Sequence, residues 1–399
     1  MASPSIILTI NGGSSSIKCS GYRIGEPMQR FLSVAIAGIG GANCSFTVTP
    51  AGNQPPSSSS LNASSSQEAI AFLITWLEKN IDFTQVGAIG HRIVHGLDQT
   101  QAVLIDELLL QKLKTILVYD PDHLPGEIGL VELFRKHYPN LPQVACFDTA
   151  FHATLPRVAR ILPLPRRFDR AGIHRYGFHG LSYESLLENL MGIADPGLVR
   201  GRLILAHLGG GASITAVRNL RSVDTSMGFT PTGGLMMGTR SGDLDPGALS
   251  YLMQHEELSP AAINDLINHE SGLIGVSETS SDMQELLKKE STDERAAEAV
   301  ALFGYQVKKY IGSYTAALSG LDLLAFTGGI GENAAPIRSR ICAGLGYLGI
   351  ELDEERNQRN DVLISAGSGR VPVYVIPADE EKIIAKRTAS LLRNSKTDR

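Results

Sequence analysis

Residues Ile6–Tyr22 read IILTINGGSSSIKCSGY, and residues Leu203–Asn219 read LILAHLGGGASITAVRN. Each is an apolar run, a cluster of glycine and small hydroxyl residues, and a second apolar run. The pattern predicts a β-hairpin whose tight turn is nearly bare of side chains, so that its backbone N–H groups can gather around an anion. The copies start about 200 residues apart, which predicts an internal duplication. One glycine-rich turn is an ordinary hairpin turn. Two in one chain point to a nucleotide whose phosphates are held from both sides.

A third element, AFTGGIGENAA from Ala325 to Ala335, reads as an apolar strand ending in glycines where a helix starts. A helix N-terminus carries unpaired N–H groups and partial positive charge, and so favours phosphate or the polar edge of a nucleotide. The three turns together predict an ATP-handling protein.

A chain of 399 residues is too long for one compact core and fits two domains of roughly 150 to 200 residues. Strands followed by crossing helices in both halves predict α/β domains on related plans. From Pro50 to Gln67 the chain becomes Pro- and Ser-rich and reads as a flexible surface loop. Glu68–Asn80 has helical spacing and Val86–His91 is a short β run. Residues 282–310 read as two helical segments with solvated charged faces, and the tail from Val371 as an extended run, a Pro-containing break and a helix begun by acids.

Composition narrows the function. A hydrophobic content of 43% with 19% charged residues is that of a soluble globular protein, and a net charge of −5 argues against nucleic acid as a partner. No stretch approaches the roughly 20 apolar residues of a membrane span, and Ile6–Ile10 is too short for a signal peptide. Cys19, Cys44, Cys146 and Cys342 are scattered without a CxxC pair, so the expected compartment is the reducing cytoplasm. His91 and His95 stand four apart, but a β-branched stretch bracketed by Gly90 and Gly96 does not present them on one helix face, and no HExxH glutamate is present. Asp148 follows the apolar run Val144–Phe147, a strand end where open α/β sheets place catalytic carboxylates; a helix N-cap or an Asx-turn at Thr149 is the local alternative.

The segments NGGSSSIKC, GHRIVHG, FDTAFH, RYGFHG, HLGGGAS, MGFTPTGGLMMGTRSGDLDPG, FTGGIGEN and ADEEKIIA resemble those of the acetate kinase family, in the same order from Asn11 to Ala385. The resemblance implies an α/β fold of two related actin-like ATPase (ribonuclease H-like) domains, residues 1–148 plus 378–399 and residues 149–377, with an active-site cleft between them. It implies Mg-dependent, reversible, in-line transfer of the ATP γ-phosphoryl group to acetate, giving acetyl phosphate and ADP, with propionate or another short-chain acid as the alternative substrate. A cytoplasmic homodimer joined through the second half is expected, with neither nucleic acid nor membrane as partner.

In such a transfer two anions approach in line and charge spreads over three equatorial oxygens, so catalysis is mainly positioning and positive charge. Arg92 in GHRIVHG and Arg240 in GTRSGD, each read as lying in a glycine-dense turn, are expected to supply that charge through bidentate guanidinium contacts. By resemblance His179 donates to the transferring group, and Asp148 belongs to the catalytic centre. A carboxylate acceptor needs no strong base, so Asp148 is expected to orient groups or bind metal-bound water.

The resemblance further assigns Mg2+ to Asn11 and Glu380, with Lys18 neutralising phosphate. It assigns ATP or ADP to His207, Leu208, Gly209, Gly210 and Gly211, to Asp282, Met283 and Gln284, and to Gly329, Ile330, Gly331, Glu332 and Asn333. It assigns the acid to Arg92, Val94, His123, Phe178 and Pro231. Four positions depart from the family. Gly210 replaces an Asn in HLGNGAS, and Gln284 stands where an Arg often covers adenine, removing a cation–π partner. Tyr183 replaces a histidine. Asp122 stands where relatives are apolar, and a carboxylate against a methyl group is costly, so either it turns away or the correspondence slips within YDPDHLPGE.

A sugar kinase or polyphosphate phosphohydrolase on the same scaffold would want a carboxylate base aimed at a hydroxyl or water, which the Arg-containing GTRSGD turn argues against. A filament-forming or chaperone ATPase of the actin-like kind is the non-metabolic alternative.

Overall fold

Strand β1 (Ile6–Gly12) runs antiparallel to β2 (Ser16–Arg23), with Ile10 opposite Cys19 and Asn11 opposite Lys18. The computed structural model describes residues 5–397 apart from Ser14, Ala42 and Asn53. The sheet continues through β3 (Gln29–Ala37), β4 (Ser45–Pro50) and β5 (Ser57–Ser60) on one side of β1, and through β6 (Val86–Ile93), β7 (Val103–Leu104) and β8 (Gln143–Phe147) on the other. Its order is β5-β4-β3-β2-β1-β6-β8-β7. Every residue of β1 is buried, as expected of a strand with parallel β6 beside it and both sheet faces covered.

The second hairpin pairs β9 (Arg202–Leu208) antiparallel with β10 (Ala212–Arg218), followed by β11 (Arg221–Thr225), β12 (Leu323–Thr327) and β13 (Val373–Val375), in the order β11-β10-β9-β12-β13. Its pairing senses repeat those of the first sheet. Both contain a three-stranded antiparallel meander extended on its first strand's free edge by two parallel strands, β6 and β8 in one and β12 and β13 in the other, and the first sheet adds β4 and β5 to the meander and antiparallel β7 beyond β8. The duplicated sequence pattern is thus a duplicated topology.

Contacts divide the chain into two units: residues up to Ala150 together with those from Asp379 onward, and Phe151–Ala378. The tail returns to the first unit because the Glu380–Thr397 helix presents Ile384, Ala385, Thr388 and Ala389 as a buried face, with Ala385 and Ala389 packed on Ile7 and Tyr22. In the second unit the Glu294–Leu318 helix buries Val300, Phe303, Val307 and Ile311, and it continues eight residues past the predicted charged segment ending at Tyr310.

Two expectations need correction. The Ser-rich stretch is not wholly loop, because Ser57–Ser60 pairs with Ser45–Val48 at the sheet edge. All four serines are exposed, and backbone pairing on an edge needs no apolar side chain. Arg92 does not lie in a turn: it is the seventh residue of β6, opposite Cys146 of β8. Glycine density was misread there, since Gly90 is small because the Glu380–Thr397 helix crosses it at Ile384 and Thr388. Among the described residues no helix is long and apolar enough to cross a membrane, and all four cysteines are buried free thiols.

Candidate active site

In the first unit β6 delivers Arg92 beside Asp148, which follows β8 directly. Arg92 Nε and Nη2 both donate to Asp148 Oδ2, at 3.0 and 2.6 Å. Nη1 reaches the Gly12 carbonyl and Glu127 Oε1, each at 3.4 Å. Burial opposes the charge on Arg92, but the carboxylates of Asp148, Glu127 and Glu380 outweigh it, so the guanidinium is held firmly protonated. Asp148 accordingly fixes the orientation of the Arg92 fork.

Glu127 is the residue the sequence reading missed. It sits on the Leu124–His137 helix in line with Leu124, Ile128 and Val131, a carboxylate on a buried apolar face, and that misplacement was a signal open to inspection. Its Oε2 accepts the Val94 N–H at 2.8 Å. Burial pushes its pKa up to about 8, against the pull of Arg92 and that N–H. One carboxyl therefore ties both Arg92 and Val94.

His123 precedes this helix. Its Nδ1 lies 2.8 Å from Asp120 Oδ1, so the carboxylate takes the Nδ1 hydrogen and fixes the ring. Of the two aspartates in YDPDHLPGE, Asp120 is buried and Asp122 is half-exposed.

At the end of β1, Asn11 Nδ2 donates to Glu380 Oε2 at 3.0 Å and to Glu381 Oε1 at 3.4 Å. Burial and then Glu380 hold the pKa of Glu381 above its ordinary value, against the charge of Lys18, which faces Asn11 across the hairpin. An amide and two carboxyl groups are hard oxygen donors of the kind magnesium takes. Among the described residues no group of three or more His, Cys, Asp or Glu forms a complete cage, and magnesium, which keeps several waters, does not require one.

In the second unit His179 and His207 stack with ring centroids 4.2 Å apart. His179 Nδ1 lies 2.9 Å from Ser213 Oγ, which also meets the Tyr183 hydroxyl at 2.5 Å; His207 Nδ1 lies 2.7 Å from Ser182 Oγ. His207 and Ser213 are directly paired across the hairpin and so share a face, a relation that the alternation of strand residues contains but that went unread. Tyr183 thus serves the Ser213 contact.

The turn Gly209–Gly211 closes with Gly209 N–H on the Gly211 carbonyl at 3.0 Å. A Cβ built on Gly211 would lie 3.4 Å from His179 Nε2 and 3.8 Å from Arg240 Nη1, so the bare turn adjoins both candidate donors. Arg240 donates from Nη1 to the Pro231 carbonyl at 3.0 Å. Pro231 and Phe178 are both buried.

Beside the same turn opens a cavity of about 620 Å³, in the size range of small-molecule sites. Gly209, Gly210, Asp282, Met283, Gln284, Gly329, Ile330 and Asn333 line it. Ser281, Leu287, Ala334 and Pro336 line it as well and were not foreseen, because they only flank the motifs. Four expected nucleotide residues have structural work near by. Leu208 is fully buried; Gly331 accepts from Arg338; Glu332 Oε1 caps the Gly328 N–H at 2.9 Å; Asp282 Oδ1 caps the Met283–Lys289 helix through the Gln284 and Glu285 N–H groups. Gly328 itself has φ +80°, and a Cβ there would meet the Leu208 carbonyl oxygen at 2.6 Å, so only glycine lets β12 turn into the glycine-rich Gly328–Asn333 helix.

Duplicated hairpins, a cavity over a glycine helix, and guanidinium and imidazole groups at the turn define an α/β phosphotransferase of the actin-like ATPase fold. The acetokinase family model matches residues 6–386. The acetate kinase of Rhodopseudomonas palustris is 41% identical over 394 residues, covering 96% of this chain and 97% of that one. Among solved structures, the acetate kinase of Porphyromonas gingivalis is 35% identical with a TM-score of 0.85, covering 97% of this chain and all of that one. A propionate kinase from Francisella tularensis, also 35% identical, has a TM-score of 0.88, covering 96% and 98%. The chain belongs to the acetokinase family.

Proposed function

We propose that this protein is an acetate kinase, transferring the γ-phosphoryl group of ATP reversibly to acetate by direct in-line displacement. The observation that carries this reading is the placement of His179 and Arg240 around the bare Gly211 turn, beside a cavity lined by eight of the expected nucleotide residues. In this reading the adenosine lies in the cavity and the phosphates pass over the glycine turn, where N–H groups, His179 and Arg240 meet the charge that develops on the transferring group. His179 is the imidazole donor; Arg240, anchored by the Pro231 carbonyl, is a cationic donor whose fork needs no reorganisation.

Arg92 receives the carboxylate of the acid, and Asp148 keeps the fork aimed. Asp148 abstracts no proton, since the acceptor is already an anion. Val94, His123, Phe178 and Pro231 form the remaining acid contacts in this reading. Asn11 and Glu380 would hold Mg2+ and Lys18 would neutralise phosphate beside them, the support being the oxygen donor set and the Asn11–Lys18 pairing. When bound, the ion supplies charge neutralisation at the nucleotide's phosphate oxygens.

Each unit is read as one actin-like ATPase domain, and the enzyme as a cytoplasmic homodimer joined through the second unit. Exposed apolar residues of that unit support the dimer: Tyr251 is 57% and Tyr305 59% exposed, and Leu244 and Leu302 line one open cavity. Propionate is the second reading, favoured by the structural match to a propionate kinase. Release of ADP coupled to hydroxamate trapping of the acyl phosphate tests both, with acetate, propionate and butyrate in parallel. The expected result is acyl hydroxamate with the highest kcat/KM on acetate. A higher value on propionate transfers the assignment to that acid, and no hydroxamate from any of the three rejects the function.

A further inference from the structure

His152 closes the FDTAFH run, four residues after Asp148. Its imidazole is 2% exposed and both nitrogens are engaged. Nε2 lies 2.9 Å from the Phe178 carbonyl oxygen and Nδ1 lies 2.8 Å from Ser222 Oγ. A carbonyl oxygen only accepts, so Nε2 carries the hydrogen. Burial pushes the pKa down to about 4, so the ring is neutral at physiological pH and its bare Nδ1 accepts the Ser222 hydroxyl. Two partners on different elements therefore select a single tautomer.

The carbonyl that His152 holds belongs to the peptide linking Phe178 to His179. Around it the backbone is unusual: Gly177 has φ +75° and His179 has φ +59°. For a residue with a side chain that conformation costs about 1–2 kcal/mol and persists only where the surroundings impose it. The surroundings here are specific. A Cβ on Gly177 would come within 2.7 Å of His152 Cγ and Cδ2, so the glycine lies flat against the ring. Upstream, Arg175 Nη1 donates to the carbonyls of Thr225, Ser226 and Met227. Downstream, His179 opens the Gly180–Ile193 helix without capping it, and its ring is directed instead to Ser213. The orientation of the Phe178–His179 peptide thus decides where the His179 ring points.

We infer that His152 is a positioning residue for phosphoryl transfer: its Nε2–H grips the Phe178 carbonyl and so keeps His179 in the left-handed conformation that presents its ring at the Gly211 turn. The inference rests on the reading of His179 as the imidazole that meets the transferring group. When the grip is lost, the peptide rotates, the strain at His179 relaxes, and the ring leaves its place between Ser213 and His207.

The experiment measures kcat and KM for His152→Ala and His152→Gln, each made in the wild-type and in the His179→Ala background. His152→Ala should lower kcat by about tenfold to a hundredfold, the scale of displacing a positioned group by an ångström. KM for ATP and for the acid should stay within about twofold, because neither contact is touched. The glutamine amide reaches the Nε2 position and donates to the same carbonyl, so His152→Gln should recover kcat to within about threefold of wild type. In the His179→Ala background, His152→Ala should change kcat by less than about twofold, since residues acting through one another are not additive.

Equal losses in both backgrounds would overturn the inference, as would a His152→Gln enzyme no better than His152→Ala. A His179→Ala enzyme with wild-type kcat would defeat the reading of His179 itself, and that outcome is visible before His152 is altered. Should His152→Ala fail to fold, Ser222→Ala removes the hydroxyl that holds Nδ1 and so loosens the ring's hold on the Phe178 carbonyl. It should lower kcat in the wild-type background and leave it unchanged in His179→Ala, and equal losses would again overturn the inference.

Discussion

Arg338 is the largest side chain with no exposed surface, and neutral acceptors hold its charge. Nε donates to Asn357 Oδ1 at 2.8 Å, Nη1 to the Gly331 carbonyl at 2.9 Å, and Nη2 to the Asn357 carbonyl and Asn360 Oδ1 at 2.7 and 2.6 Å. Burial pushes its pKa down to about 10, still charged at neutral pH. Arg338→Met keeps most of the volume and removes every donor. Asn360 is exposed and re-bonds to water, and the Asn357 carbonyl keeps the Asn360 N–H at 3.0 Å. The Gly331 carbonyl and Asn357 Oδ1 are left buried without this donor, at about 1–3 kcal/mol each. Removing a desolvated charge offsets part of that, and a net loss of about 3 kcal/mol follows. At about 2–4 °C per kcal/mol for a unit of this size, the second unit should melt about 6–12 °C lower. Since Gly331 belongs to the helix beside the nucleotide cavity, the KM for ATP should rise while that for the acid holds. Circular-dichroism melts and steady-state kinetics read both; a melt within about 2 °C of wild type would refute the reasoning.

Arg92→Ala and Arg240→Ala should each lower kcat by about a hundredfold or more, the scale for removing a donor to transition-state charge. A kcat within about threefold of wild type in either contradicts its assignment. The pH dependence of stability should have two limbs of opposite sign. Glu127, raised to about 8 when folded, holds a proton that the unfolded chain has released, so its contribution is full below its unfolded pKa of about 4.5 and is lost as pH rises through 8. His91 and His152 are lowered to about 4, so their contribution is lost as pH falls from 6.5 towards 4. Urea midpoints from pH 5 to 9 should therefore show a weaker alkaline decline in Glu127→Gln with the acid limb unchanged. Identical profiles for the two proteins would show that Glu127 does not titrate in that range.

Much of the candidate site was legible because glycine turns and strand ends are local. IILTINGGSSSIKCSGY and LILAHLGGGASITAVRN carry their hairpins in the order of their own residues, and Asp148 was found from the apolar run before it. The local sequence puts Arg92 in the wrong element, because Gly90 answers a helix almost 300 positions later in the chain and Gly96 answers the Phe147 ring. Glu127 was passed over because a carboxylate on an apolar helix face makes sense only once Arg92 and the Val94 N–H lie against it.

Taken alone, the order of residues determined the duplicated α/β plan, the family and the three glycine turns, since each depends on periodicity and on which residues tolerate bare backbone. Tertiary structure decided which groups hold the candidates in place: Asp148 and Glu127 on Arg92, Ser213 on His179, His152 on the Phe178 carbonyl, Arg338 on Gly331. Those contacts join residues from 7 to 56 positions apart in the chain. Hydrogen bonds of this kind form only after packing has removed water from both partners, and no local pattern encodes which partners meet.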